Sequence, residues 1–202
     1  MIIKNSKPLA AISYETATFK VLSNYIHYED PSLSITRINP SDFISSSSQD
    51  YQYINLITKD FVERKLVSSL LDERNHDRFS YLHNSTAPGT TYNNCSIGPG
   101  SFLYQGSGWY NLTTGKDCII HGGCAFAENV SIGNGSFLSG FVLVGGNVKI
   151  GNFCFISTDV LIMDNVTICD DTKIGPRSAV RKSITSPGVY VNPYALKIKK
   201  IK

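Results

Sequence analysis

Charge is scarce in this chain: 17% of its 202 residues are Asp, Glu, Lys or Arg, and the net charge is +3. Basic residues crowd together only at the end, at Lys197, Lys199, Lys200 and Lys202. A nucleic-acid surface needs a basic stripe interleaved with aromatic residues, so no nucleic-acid partner is expected. Long apolar runs are missing too. No stretch of about 18 apolar residues is there to span a bilayer, and the opening MIIKNSKPLAAIS is too short and too polar for a secretory signal. The expected location is cytoplasmic. The chain has five cysteines but no CxxC pair, so neither a disulfide nor a metal site is expected. The 42% of hydrophobic residues fits a globular chain with one large domain or two small ones.

What the sequence does have is a period of six. Stepping by six from Ile120 meets Phe126, Ile132, Leu138, Val144, Ile150, Ile156, Ile162, Ile168, Ile174 and Val180. All are large and apolar, whereas a given position holds such a residue roughly a quarter to a third of the time. Two residues before each stand Cys118, Cys124, Val130, Ser136, Val142, Val148, Cys154, Val160, Val166, Thr172 and Ser178, all small or β-branched. Neither the period of a strand nor that of a helix gives this pattern. It predicts a triangular solenoid over roughly 94–182: three six-residue faces per coil, with coils stacked at strand spacing of about 4.8 Å. The large residue fills the prism, and the small one sits where two walls converge. Parallel crossovers are usually right-handed; the tight hexapeptide repeat is the exception, and a left-handed parallel β-helix is expected. Turns should fall at Gly133, Gly151 and Gly175 and at Asn134, Asn147, Asn152 and Asn165, which tolerate left-handed backbone angles. Cys95, Cys118, Cys124 and Cys154 read as core filler. Ile97, Leu103 and Trp109 keep the period in another phase, which suggests an insertion around 106–115. After Val180 the pattern stops, and Ser186-Pro187-Gly188 should turn the chain away.

The first ninety residues alternate differently. Short strands are expected at 8–13, in LSITRIN, at 51–57 and at 78–84, with helices at 15–28 and 58–75 and a loop at Ser45–Ser48. Alternating strands and helices predict a small parallel α/β (Rossmann-like) lobe. The expected organisation is therefore a lobe at 1–87, a β-helix at 88–185 and a capping tail at 186–202.

An α/β lobe, the link Leu82-His83-Asn84-Ser85-Thr86-Ala87, and then hexapeptide coils resemble one known group. These are the sugar acyltransferases that include sialic acid O-acetyltransferases and the bacillosamine- and perosamine-type N-acetyltransferases. The segment Ile174-Gly175-Pro176-Arg177-Ser178-Ala179-Val180 fits the family's last coil. The segment Gly123-Cys124-Ala125-Phe126-Ala127-Glu128-Asn129-Val130-Ser131-Ile132-Gly133 matches its catalytic coil, but Glu128 stands where the family has histidine. A second histidine is lost within Phe137–Gly146. The family's glycine loop is replaced by Ser13-Tyr14-Glu15-Thr16, and its ending survives only as Val191-Asn192-Pro193-Tyr194-Ala195. The resemblance implies a homotrimer, acetyl-CoA lying along the β-helix between subunits, and a sugar or nucleotide sugar held by the first lobe.

Acyl transfer from a thioester needs a base for the attacking amine or hydroxyl, donors for the oxyanion and a groove for pantetheine. His121, with Glu128 stabilising its cation, is the candidate base. Its plain alternative is an exposed turn histidine beside an ordinary surface carboxylate. Seven residues separate the two around a corner, so they would meet only across a subunit boundary. Gly140, Gly145 and Gly146 are candidate cofactor contacts because backbone can approach a ligand there. Lys197 is a candidate for the CoA phosphates. Ser13, Tyr14 and His83 are candidates for the sugar. The expected function is acyl-CoA-dependent transfer to a sugar or nucleotide-linked amino sugar in surface polysaccharide or glycan synthesis. The competing reading is a catalytically degenerate β-helix used for binding or assembly. A β-helical carbonic anhydrase would need three histidines around zinc, and the coils hold only His121.

Overall fold

The computed structural model describes residues 2–3, 7–14, 19–20, 22–24, 32, 34–58, 60–82, 92–104 and 109–192. Its larger part is a left-handed parallel β-helix built on the six-residue period. All eleven large residues from Ile120 to Val180 are buried, and so are all eleven small ones from Cys118 to Ser178. Three parallel walls enclose them. The first wall runs through Phe102–Leu103, Ile119–Ile120, Phe137–Leu138, Phe155–Ile156 and Thr172–Ile174. The second runs through Trp109–Tyr110, Ala125–Phe126, Leu143–Val144, Leu161–Ile162 and Ala179–Val180. The third runs through Ser96–Ile97, Thr113–Thr114, Ser131–Ile132, Lys149–Ile150 and Thr167–Ile168.

One row of small residues does more than save space. Ser101, Cys118, Ser136 and Cys154 each donate a side-chain hydrogen bond to a carbonyl of the next coil, at Gly115, Gly133, Gly151 and Cys169. The hydroxyls also accept from the backbone, Cys118 N to Ser101 Oγ at 3.1 Å and Cys154 N to Ser136 Oγ at 3.0 Å. A thiol at these positions satisfies a buried carbonyl, and burial pushes Cys118 up to about 12 and Cys154 to about 11.

The phase change is a deletion, not the expected insertion. Ile120 pairs with Leu103, Thr113 with Ser96 and Phe126 with Trp109, each 17 residues back, whereas Ile132 pairs with Thr114 at 18. The missing residue falls between Trp109 and Asn111. Thr114 thereby takes the large inward position and Leu112 the small one, both buried.

The turns also differ in part. Asn147 and Asn165 have positive φ (58° and 62°), as expected, but Gly133, Gly151, Gly175, Asn134 and Asn152 do not. The left-handed residue comes two positions after the glycine, at Gly135, Phe153 and Arg177. Gly133 is glycine because coils approach closely: a Cβ there would lie 2.6 Å from Asn152 N. Gly133→Ala is expected to cost about 1–3 kcal/mol, measured as a lower urea midpoint at unchanged m. Asn111, Asn129, Asn147 and Asn165 form a side-chain ladder along another edge, at 3.2, 3.1 and 3.3 Å.

Past Val180 the chain stays on the stack. Ile184 bridges to Ile168, and Gly188–Tyr190 adds a parallel strand beside Thr172–Ile174. Residues 193–202 of the expected tail lie outside the described residues.

The first lobe holds a parallel sheet ordered β3-β2-β4, where β2 is Leu9–Ile12, β3 is Ile35–Ile38 and β4 is Gln52–Asn55 (β1 is Ile2–Ile3). Helix α1 (Pro40–Ser45), not foreseen, starts at the N-cap Asn39 with Pro40 in its first turn, a combination that favours initiation. Helix α2 (Phe61–Glu73) is capped by the Asp60 side chain. Of the helix expected at 15–28, residues 19–20 and 22–24 are helical and the rest lies outside the described residues. The strand expected at 78–84 is shared between the two parts: Arg78 bridges in parallel to Tyr53 of β4 in the lobe sheet, and β5 (Ser80–Leu82) then joins the β-helix, pairing in parallel with Phe102–Leu103 and antiparallel with β1.

Alternation along β2 joins lobe and solenoid. Ala10 and Ile12 pack with Phe43, Val67 and Leu71 under the helices. Leu9 and Ala11 pack with Phe79, Tyr81, Phe102, Ile119 and Phe137 on the outside of the first wall. A buried polar clamp completes the joint. Arg64, fully buried, donates from Nε to Gly135 O (3.0 Å), from Nη1 to Asn55 O and Ile57 O (3.0 and 2.8 Å), and from Nη2 to Asp117 O. The buried Asp117 carboxylate accepts from Ser68 Oγ and from Arg78 Nε at 2.9 Å.

Candidate functional site

His121 follows directly on the first-wall strand Ile119–Ile120, and its amide donates to Leu138 O at 2.9 Å. Its ring lies between Tyr104 and Phe137, with centroids 4.8 and 4.9 Å away. The row continues to Phe155, stacked on Phe137 at 5.2 Å, and to Phe61 of α2. His121 is therefore part of the seam between lobe and solenoid, held by aromatic packing. Burial lowers its pKa below the usual 6.5, and its Nε2 is buried without a hydrogen-bond partner among the described residues. Such a ring is neutral at pH 7, the state a general base needs.

Glu128 sits at the other edge of the second wall, after Ala125–Phe126, beside the asparagine ladder. It is exposed, and its carbonyl accepts Asn147 N at 2.9 Å. One chain alone places His121 and Glu128 on opposite edges of that wall and does not bring them together.

The outside of the second wall is an apolar groove of about 460 Å³, lined by Ala125, Ala127, Leu143, Gly145, Leu161 and Met163 among others. Leu143, Leu161 and Met163 are 47, 41 and 44% exposed, so a contiguous greasy strip faces outward. The candidate glycines shape it unequally. The amides of Gly145 and Gly146 are already taken, by Ile162 O at 2.9 Å and Asp164 Oδ1 at 2.7 Å. They are therefore not free for an oxyanion. At Gly146 a Cβ would meet nothing closer than 3.7 Å, and at Gly140 it would lie 3.3 Å from Gly122 O. The bare backbone at Gly146 leaves the surface flat there.

On the lobe, Ser13 and Tyr14 follow β2. Ser13 is buried and donates from Oγ to Tyr14 O at 2.6 Å; its own carbonyl accepts from Arg37 at 3.3 Å. Tyr14 is 40% exposed and hydrogen-bonds to Glu63, which raises its pKa to about 12. Glu63 was not singled out from sequence; its place in the first turn of a capped amphipathic helix gives no functional signal. The aromatic row was legible in principle, because the outward first-wall positions Phe102, Ile119, Phe137 and Phe155 are apolar in four successive coils. His83 and Lys197 lie outside the described residues. Among the described residues no cluster of His, Cys, Asp and Glu is arranged to hold a metal, and no helix is long and apolar enough to cross a membrane.

Comparison with known proteins agrees with this architecture. Residues 147–182 match the bacterial transferase hexapeptide family (six repeats). No curated protein sequence matches the chain significantly. Among solved structures, the acetyltransferase domain of PglB from Neisseria gonorrhoeae, in complex with acetyl coenzyme A, superposes with a TM-score of 0.72 at 13% identity, covering 93% of this chain and 97% of that one. A variant of perosamine N-acetyltransferase from Caulobacter crescentus, in complex with CoA and GDP-perosamine, gives 0.70 at 15% identity, covering 93 and 95%. At such identities the likeness is one of fold.

Proposed function

We propose that this chain is an acyltransferase that moves an acyl group, acetyl from acetyl-CoA, onto a sugar or nucleotide-linked amino sugar destined for a surface polysaccharide or glycan. The observation that carries the reading is His121: a neutral imidazole with a spare Nε2, fixed at the seam of the two lobes and on the edge of the wall that bears the apolar groove. The matching hexapeptide family and the CoA complexes of the structural neighbours support it.

In this reaction the acceptor's amine or hydroxyl attacks the thioester carbonyl, and His121 Nε2 takes its proton. The carbon–sulfur bond then breaks, and the departing CoA thiolate receives that proton. The groove over Ala125, Leu143, Gly145 and Leu161 takes the pantetheine arm. Gly145 belongs to its lining; Gly140 and Gly146 let the cofactor approach the backbone beside it, and the lysines from Lys197 onward offer charge to the CoA phosphates. Of the lobe candidates, Tyr14 is the exposed one and takes the sugar nucleotide, with His83 as a further contact; Ser13, buried and bonded to Tyr14 O, holds the backbone behind it. In this reading the active form is a homotrimer acting in the cytoplasm, and a second copy against the second wall supplies its Glu128 to His121. No metal enters this scheme.

The rival reading, an idle binding or assembly module, draws on Glu128 standing in the histidine's place. Incubating the protein with acetyl-CoA and a panel of nucleotide amino sugars, and following thiol release, separates the two. Acceptor-dependent release is expected. Binding of acetyl-CoA with no release for any acceptor supports the module, and absence of binding removes the transferase.

A further inference from the structure

The lobe sheet is built from the inside out. The chain lays down β2, then β3 on one side, then β4 on the other. The direction of travel reverses between β2 and β4, and open α/β sheets hold their ligands at the carboxyl ends of the strands where this reversal occurs. Tyr14 follows β2 and Glu63 follows β4, and their side chains hydrogen-bond to each other across that reversal.

Several polar side chains nearby bond to the protein's own backbone. Asn39 accepts from Ser41 as the cap of α1. Asn55 donates to Arg64 O and accepts from Ile57 N. Asp60 accepts from Glu63 N, and Arg37 donates to Ser13 O. Glu63 is different: its Oε2 is buried and has no hydrogen-bond partner among the described residues. A carboxylate oxygen withdrawn from water without a donor is costly, and a bound donor would relieve that cost.

We propose that Glu63 is the residue that recognises the ribose hydroxyls of a nucleoside diphosphate sugar, with Tyr14 fixing the orientation of its carboxylate. This rests on reading the lobe as the sugar-nucleotide half of the site. An acceptor-only oxygen requires a hydroxyl or an ammonium group. A carboxylate at the substrate amine would hold it protonated and deprive it of the lone pair needed for attack, so the reacting amine lies elsewhere, toward His121. A phosphate would be repelled. The ribose diol meets both conditions, and carboxylates bind ribose hydroxyls in dinucleotide-binding α/β sheets.

Calorimetry on the full chain with UDP, GDP and their 2′-deoxy counterparts tests this. The ribonucleotide is expected to bind at least about tenfold more tightly than its deoxy partner. Glu63→Ala should bring the two within about twofold of each other, and Glu63→Gln should retain part of the preference. The helix cap survives in both variants because it uses the Glu63 amide, and circular dichroism verifies folding. Equal binding of ribo and deoxy forms, a preference that persists in Glu63→Ala, or no binding of either nucleotide would overturn the assignment. Thiol release from acetyl-CoA, measured on the same samples, fails separately if the transferase reading is wrong.

Discussion

Replacing Arg64 with leucine should cost about 3–5 kcal/mol of folding free energy and lower the melting temperature by roughly 10 °C. The size follows from how much one side chain does. Its guanidinium serves four backbone carbonyls, two at the end of β4 and two, Asp117 O and Gly135 O, on a corner of the solenoid. Leucine fills part of the volume but leaves those oxygens buried without donors. It also removes a cation near the buried Asp117. Burial brings the guanidinium down to about 10, so it remains charged at neutral pH. Arg64→Lys should fall between, since a lysine cannot reach four carbonyls spread over a planar fork. Differential scanning calorimetry distinguishes the outcomes: a melting temperature within a degree or two of the parent would show that the clamp is incidental to the joint.

His121→Ala should lower acyl transfer about 10²–10⁴-fold while leaving the affinity for acetyl-CoA within about twofold. The pH profile of the parent protein carries its own signature. Burial places the folded-state pKa of His121 below 6.5. The neutral ring therefore persists to lower pH than in a free histidine. The rate should be flat near pH 7 and fall only as the pH drops through that lowered value. Stability follows the same sign, because protonation is disfavoured in the folded state and unfolding relieves it as the pH falls. Glu128→Gln should have a smaller effect, visible only in the assembled protein, because one chain holds the two residues on opposite edges of a wall. Full thiol release by the His121→Ala variant removes the histidine from the mechanism.

The solenoid was open to reading because each coil repeats the same steric demand. A residue at the middle of a wall must be large, its predecessor by two must be small, and Ile120 through Val180 obey without exception. The lobe was legible as alternating strands and helices for the same local reason. What escaped depends on meetings between distant segments. Arg64 looks like one more basic residue on an amphipathic helix; only the approach of the Asp117 corner makes it a clamp. Strand β5 reads as a lobe element, yet hydrogen bonding of Tyr81 N to Ser101 O draws it to the solenoid. The same applies to Glu63, whose meaning depends on Tyr14 lying across the reversal in the sheet. The phase change was visible at Trp109, but its sign was not. An insertion and a deletion displace the pattern alike until the pairing partners are known.

That shortened coil says something about how the molecule tolerates change. The lost residue falls where one wall ends and the next begins, and the inward row resumes at Thr114 without upsetting the wall that carries the lobe. Length is thus negotiable at the edges and fixed along the flat sides. Loops grafted at edges should leave the stack in step, whereas one residue added within a side would turn its core-facing groups outward. Variation in ligand preference among proteins built this way has a natural outlet there.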